Sequence, residues 1–229
     1  YKHSMSPETN MPEAEAEALW NALPDFTTGE PENAICVVDT SGSMMGQPLE
    51  VAVSLGLYMA ERATGPYKDH FITFSKRPTL QRVSGTSITS RLSNMARAGW
   101  DVNTDLEATF DLVLSAAIAG SLTQDEMVDK LYIISDMEFD RCTGRQDVTF
   151  FDNMRIKFAQ HGYEMPLLVF WNVNARNKQV PMSLDDRGFQ NVSGYSPSIF
   201  KALMNNQNLG AYEMMLAVLE NERYAQLSV

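Results

Sequence analysis

Asp39, Ser41 and Ser43 occupy alternate positions in the stretch AICVVDTSGSMMG, residues 34 to 46. A carboxylate and two hydroxyls at this spacing on a tight loop can converge on one centre, and Gly42 lets the backbone curl around it. Two more oxygen-bearing residues hold comparable places further along. Thr104 precedes a helical pattern, and Asp136 closes the apolar run KLYIISD, residues 130 to 136. Carboxylate and hydroxyl oxygens with no His or Cys beside them suit a hard cation: Mg2+, Mn2+ or Ca2+ rather than Zn2+. Asp39, Ser41, Ser43, Thr104 and Asp136 are therefore the candidate metal ligands.

Such a cage needs a scaffold that brings three distant segments to one edge. Apolar runs at 34–38, 70–75, 130–136 and 165–174 read as buried strands, with a shorter one at 188–196. TLQRV (79–83) reads as a short edge strand reached across a turn. Helical patterns fall at 11–23, 48–63, 87–98, 103–120, 148–162, 196–204 and 210–227. Leu19, Trp20 and Leu23 share the apolar face of the first, and Ile88, Leu92 and Met95 that of the third. Pro48 sits in a first turn, where a missing N–H costs nothing. Strands alternating with helices predict an α/β, Rossmann-like, doubly wound and mostly parallel sheet with one short antiparallel edge strand and helices on both faces. In such sheets ligands bind outside the carboxyl ends of the strands, where Asp39 and Asp136 fall. Residues 1–32 form an N-terminal helical extension and linker, and residues 33–229 a single domain.

The bulk composition narrows the chemistry. The 229 residues carry 18 basic and 29 acidic side chains, a net charge of −11. With no Lys/Arg-rich run, direct nucleic-acid binding by this domain alone is not expected. The acidic balance supplies solubility, or a field that concentrates cations near the site. Two cysteines, Cys36 and Cys142, are too few for a disulfide framework, so a reducing, intracellular (cytoplasmic) location is expected. No apolar run approaches the ~20 residues of a membrane span, and the N-terminus lacks the pattern of a signal peptide. The sequence lacks an initiator Met, so a chain excised from something longer is expected. His3, His70 and His161 form no partner pattern and read as structural. Met44, Met45 and Trp100 read as packing residues or as an apolar rim for a partner.

The Asp39-x-Ser41-x-Ser43, Thr104 and Asp136 set, in this order and on these elements, resembles the von Willebrand factor A (vWA) domain and its metal-ion-dependent adhesion site (MIDAS). The resemblance covers roughly residues 33 to 205. It implies that Ser41 and Ser43 bind the metal directly, that Thr104 joins directly or through water, and that Asp39 and Asp136 lie further back. A direct shell poor in negative charge keeps the cation electrophilic, and the resemblance implies recruitment of an acidic residue from a protein partner. The stretches SDMEFD (135–140), VFWNVN (169–174) and NVSGYSPSIFKALM (191–204) are similar to a family of large plant, fungal and viral proteins with a C-terminal A-type domain. Ro-type ribonucleoproteins are more distant relatives. The chain departs from the A-domain pattern after Asp136, where Met137 and Glu138 replace the usual Gly. Glu138, Asp140 and Asp105 are therefore possible additional ligands; an added charge beside the metal raises its affinity and lowers its appetite for an acidic partner.

The same residues argue against common catalysts. An Asp-nucleophile phosphatase needs a second Asp two residues after Asp39, where Ser41 stands. There is no phosphate-binding P-loop and no Gly-x-Ser-x-Gly elbow. The expected function is a metal-dependent protein-binding module and not an enzyme. Two alternatives stay open: a scaffold domain of a ribonucleoprotein-like assembly whose RNA-binding part lies outside the chain, and a metal-assisted phosphoesterase.

Overall fold

Five apolar residues, three of them β-branched, make β1 (Ala34–Val38) a strand suited to burial on both faces. The structure is a computed structural model and describes residues 11–26, 33–99, 105–136, 145–174, 182–184 and 189–204. In it β1 lies near the middle of a seven-stranded sheet. The other strands are β2 (His70–Thr73), β3 (Leu80–Arg82), β4 (Lys130–Ser135), β5 (Leu167–Asn172), β6 (Met182–Leu184) and β7 (Phe189–Ser193). Their spatial order is β3-β2-β1-β4-β5-β7-β6. β2, β1, β4, β5 and β7 run parallel. The expected antiparallel edge strand is β3, paired to β2. A second antiparallel strand, β6, closes the opposite edge against β7. The sequence reading had no strand there, because three residues carry too little periodicity to register.

Side chains alternate along β1, so its two faces feed two separate cores. Cys36 and Val38 pack with Leu57 and Met95, and with Tyr132, Ile134 and Trp171 from the neighbouring strands. Helices α2 (Gln47–Arg62), α3 (Ile88–Arg97) and α6 (Pro197–Met204) cover this face, with α1 (Glu13–Asn21) outside them. Ile35 and Val37 pack on the opposite side with Phe110, Leu131, Ile133 and Phe158, under α4 (Leu106–Gly120) and α5 (Arg145–Gln160). This is the doubly wound α/β architecture expected. Cys36 is a buried thiol 3.4 Å from the Met59 sulfur, outside any disulfide. None of the described helices is long and apolar enough to cross a membrane.

Two sequence readings are corrected. The inward face of α1 is Ala16, Glu17 and Trp20, while Leu19 is 54 % and Leu23 39 % exposed. Polar contacts rather than leucines orient this helix: the Trp20 indole N–H donates to Glu61 Oε2 at 2.8 Å, and Glu17 pairs with Arg91 at 2.6 Å. The helix expected from 103 begins at Leu106, because the Asp105 carboxylate accepts from the Ala108 N–H at 3.0 Å and caps it. The helix expected at 210–227, Cys142 and Trp100 lie outside the described residues.

Candidate functional site

β1 has β2 on one side and β4 on the other, and the chain winds away from β1 in both directions. The reversal of strand order opens a crevice at the carboxyl ends of β1 and β4, the place where sheets of this kind bind ligands. Asp39 follows β1, and Asp136 follows β4. In the β1–β4 ladder Val38 pairs with Ile134, so the residues after them, Asp39 and Ser135, come level.

Asp39 is completely buried and both of its oxygens are engaged. Oδ1 accepts the Ser41 backbone N–H at 2.8 Å, and Oδ2 accepts the Ser135 hydroxyl at 2.5 Å. The first bond folds the loop back over the strand end; the second ties β1 to β4. Beyond them the Ser41 and Ser43 hydroxyl oxygens stand 3.0 Å apart, and Ser43 Oγ donates to Asp136 Oδ1 at 3.1 Å. Burial pushes the Asp39 carboxyl above its ordinary range; hydrogen bonds from Ser135 and Ser41 oppose this, and the Asp136 charge adds to it. Among the described residues no Lys, Arg or His pairs with Asp39 or Asp136. Carboxylate charge at a buried strand end is costly unless hydrogen bonds, a proton or a cation offset it.

The loop itself is held at both ends. Residues 42–44 form one turn of 3-10 helix that buries Met44 completely and leaves Met45 51 % exposed, so the two methionines split between core and rim. Gly46 follows with φ +88° and ψ −142°, a conformation that suits glycine, before α2 starts. Thr40, 1 % exposed between Asp39 and Ser41, donates its hydroxyl to the Gly99 carbonyl at 2.5 Å.

The structure thus brings together Asp39, Ser41, Ser43 and Asp136. Thr104, Glu138 and Asp140 lie outside the described residues. Asp105, next to Thr104, is anchored at the same edge by its N–H on the Ser75 carbonyl at 3.3 Å, and its carboxylate serves as the α4 cap. Sequence reasoning missed Ser135 and Thr40. Ser135 had a signal: it is the hydroxyl immediately before the aspartate that closes an apolar strand. Thr40 had none, since its partner is a backbone carbonyl some sixty residues away.

The donor set is compatible with a small divalent cation. An octahedral Mg2+ with oxygens at about 2.1 Å has adjacent oxygens about 3.0 Å apart. Ser41 Oγ to Ser43 Oγ and Ser43 Oγ to Asp136 Oδ1, at 3.0 and 3.1 Å, match that edge length, which is also that of ordinary hydrogen bonds. No cluster of three or more His, Cys, Asp or Glu is arranged to hold a metal among the described residues. Any cation here would rest on hydroxyls as much as on carboxylates.

Fold and site define the class: a doubly wound α/β domain with an oxygen-lined crevice at its topological switch point. The chain belongs to the family described as Domain of unknown function (DUF7788), whose model matches residues 33–227. It is also similar to "Uncharacterized protein L728" of Acanthamoeba polyphaga mimivirus, with 36% identity over 207 residues. That match takes in 89% of this chain and 36% of the viral protein, so the chain spans about a third of that relative's length. Among solved structures it is similar to the RO (RSR) protein of Deinococcus radiodurans, at 18% identity and a TM-score of 0.49, covering 80% of this chain and 36% of that one. It is also similar to BatB from Bacteroides thetaiotaomicron, at 14% identity and a TM-score of 0.36, covering 86% of this chain and 100% of that one.

Proposed function

We propose that this chain is a vWA-type, metal-dependent protein-binding module and not an enzyme. The observation that carries the reading is the set of three oxygens, Ser41 Oγ, Ser43 Oγ and Asp136 Oδ1, spaced 3.0 and 3.1 Å apart over a buried Asp39. Ser41 and Ser43 would hold the cation, with Asp136 beside them. A divalent cation bound there supplies positive charge and open positions for an acidic oxygen from a partner.

The chain's own residues do the rest. A serine hydroxyl has one proton and two lone pairs. Ser43 directs its proton to Asp136 and accepts from the Ser41 hydroxyl, which leaves one lone pair available. Asp39 has both oxygens occupied by Ser41 and Ser135, so it acts by shaping the loop and by its charge. Two neutral hydroxyls in direct contact leave the cation's charge incompletely quenched, which favours a carboxylate from outside. Met45, half-exposed beside the loop, offers an apolar contact for the partner.

The test uses a plain carboxylate as probe. Glutarate is titrated into the chain with saturating Mn2+ and again with EDTA, and its binding is read from paramagnetic broadening of its NMR lines. Saturable broadening that disappears in the Asp136→Ala variant is expected. Mn2+ binding without any glutarate effect would overturn recruitment of an acidic partner. Hydrolysis of p-nitrophenyl phosphate above that of Asp136→Ala would establish the phosphoesterase instead.

A further inference from the structure

Helix α1 packs on the domain from outside its core. It has no fully buried residue, and its leucine is turned to solvent. Ala16 and Trp20 rest on the core cluster, Trp20 edge-on to Tyr58, and charged and polar groups make the other ties. Glu13 Oε1 accepts the Thr89 hydroxyl at 2.6 Å, and Glu17 Oε2 accepts the Ile88 N–H at 2.6 Å, an otherwise orphaned donor of the first turn of α3. Arg91 bridges Glu17 and Glu61 at 2.6 Å each, and Trp20 donates to Glu61. The family model begins at residue 33, after α1.

α3 connects this dock to the candidate site. Its N-terminal turn meets α1. Ten residues on, about 15 Å along the axis, the carbonyls of Ala98 and Gly99 receive the Thr40 hydroxyl between Asp39 and Ser41. Gly99, at φ +78°, lies so close to Thr73 that an added Cβ would stand 2.8 Å from the Thr73 Cβ, so a side chain does not fit there. α3 is one unbroken helix from Ile88 to Arg97, so a shift of its first turn is carried to the carbonyls that follow its last. Ile88, Met95 and Ala96 are buried and keep α3 on the domain when α1 departs, so release loosens the loop without unfolding it.

We propose that α1 is a releasable strap, an acidic helix that docks on α2 and α3 and, through α3 and Thr40, sets the order of the loop carrying Asp39, Ser41 and Ser43. The inference goes beyond the metal reading and needs no cation. Because its ties are partly exposed charges, salt weakens the dock.

Amide hydrogen exchange of the full chain in EDTA tests it. The variants are Glu13→Gln/Glu17→Gln and, from the other side of the ion cluster, Arg91→Met. Exchange over residues 13–21 is expected to rise at least tenfold and over 39–46 at least threefold, with β5 unchanged. In a Thr40→Val background the second rise disappears. Released α1 with an unchanged loop, a loop response that survives Thr40→Val, or no change in α1 would each overturn the proposal. A parallel rise in β5 would show α1 to be part of the core and would overturn it too.

Discussion

Gly56→Ala tests how tightly α2 fixes the strand that carries the site. Gly56 lies on α2 facing Val38, the residue before Asp39. A Cβ there would stand 2.6 Å from Val38 Cγ2 and 3.4 Å from Met95 Cε. Carbon atoms pack at about 3.5–4.0 Å, so roughly 1 Å of overlap has to be absorbed. Val38 is 1 % exposed and its strand is paired on both sides, so it has little room to retreat. Alanine gains about 1 kcal/mol of helix propensity over glycine. Overpacking costs about 1–3 kcal/mol, and an overlap this large belongs in the upper half. The expected net is a destabilisation of about 1–2 kcal/mol. Val38→Ala alone removes two buried methyl groups and costs about 2 kcal/mol. In the double variant the overlap is gone and the new methyl fills part of the space, so the pair should be at least ~1.5 kcal/mol more stable than the sum of the singles. Equilibrium urea denaturation followed by tryptophan fluorescence measures all four chains. A neutral or stabilising Gly56→Ala, or strict additivity, would refute the close approach of α2 to β1.

Asp39→Asn should separate stability from binding. Burial raises the Asp39 carboxyl above its ordinary range, so the folded chain favours the protonated form. That contribution is complete at acid pH and is lost as pH rises through the raised value. In EDTA the variant should therefore match the wild type near pH 4 and exceed it at pH 7.5 by urea midpoint, while losing divalent binding. Gly46→Ala places a side chain at φ +88° and should cost about 1–3 kcal/mol, visible as a lowered melting temperature. The Tyr67 hydroxyl is buried without a hydrogen-bond partner among the described residues, and burial pushes its pKa up to about 12. Tyr67→Phe should be neutral or stabilising by up to about 1 kcal/mol; a loss of more than that would reveal a partner.

The strands that build the site were legible because they are apolar on both faces, and an aspartate ending each of two such runs marks a change of environment. AICVV and KLYIIS are buried along nearly their whole length, and the residues after them meet in one crevice. The second antiparallel edge was not legible, because Met182–Leu184 is too short to have a period. The face of α1 was misread for a physical reason. Helical spacing of leucines assumes that burial orients a helix, whereas Glu17, Trp20, Arg91 and Glu61 orient this one by charge and hydrogen bonding. Ser135 depends on the register of β1 against β4, and Thr40 on where α3 ends; both are tertiary facts that spacing along the chain does not contain.

Isothermal titration of Mg2+ and Mn2+ into the EDTA-stripped chain, beside Asp39→Ala and Ser41→Ala/Ser43→Ala, tests the central claim most directly. Saturable binding by the wild-type chain with one cation per chain, absent from both variants, is the expected result. Binding that survives both variants, or no binding to the wild type at millimolar Mn2+ even with glutarate present, would contradict a cation held by these oxygens.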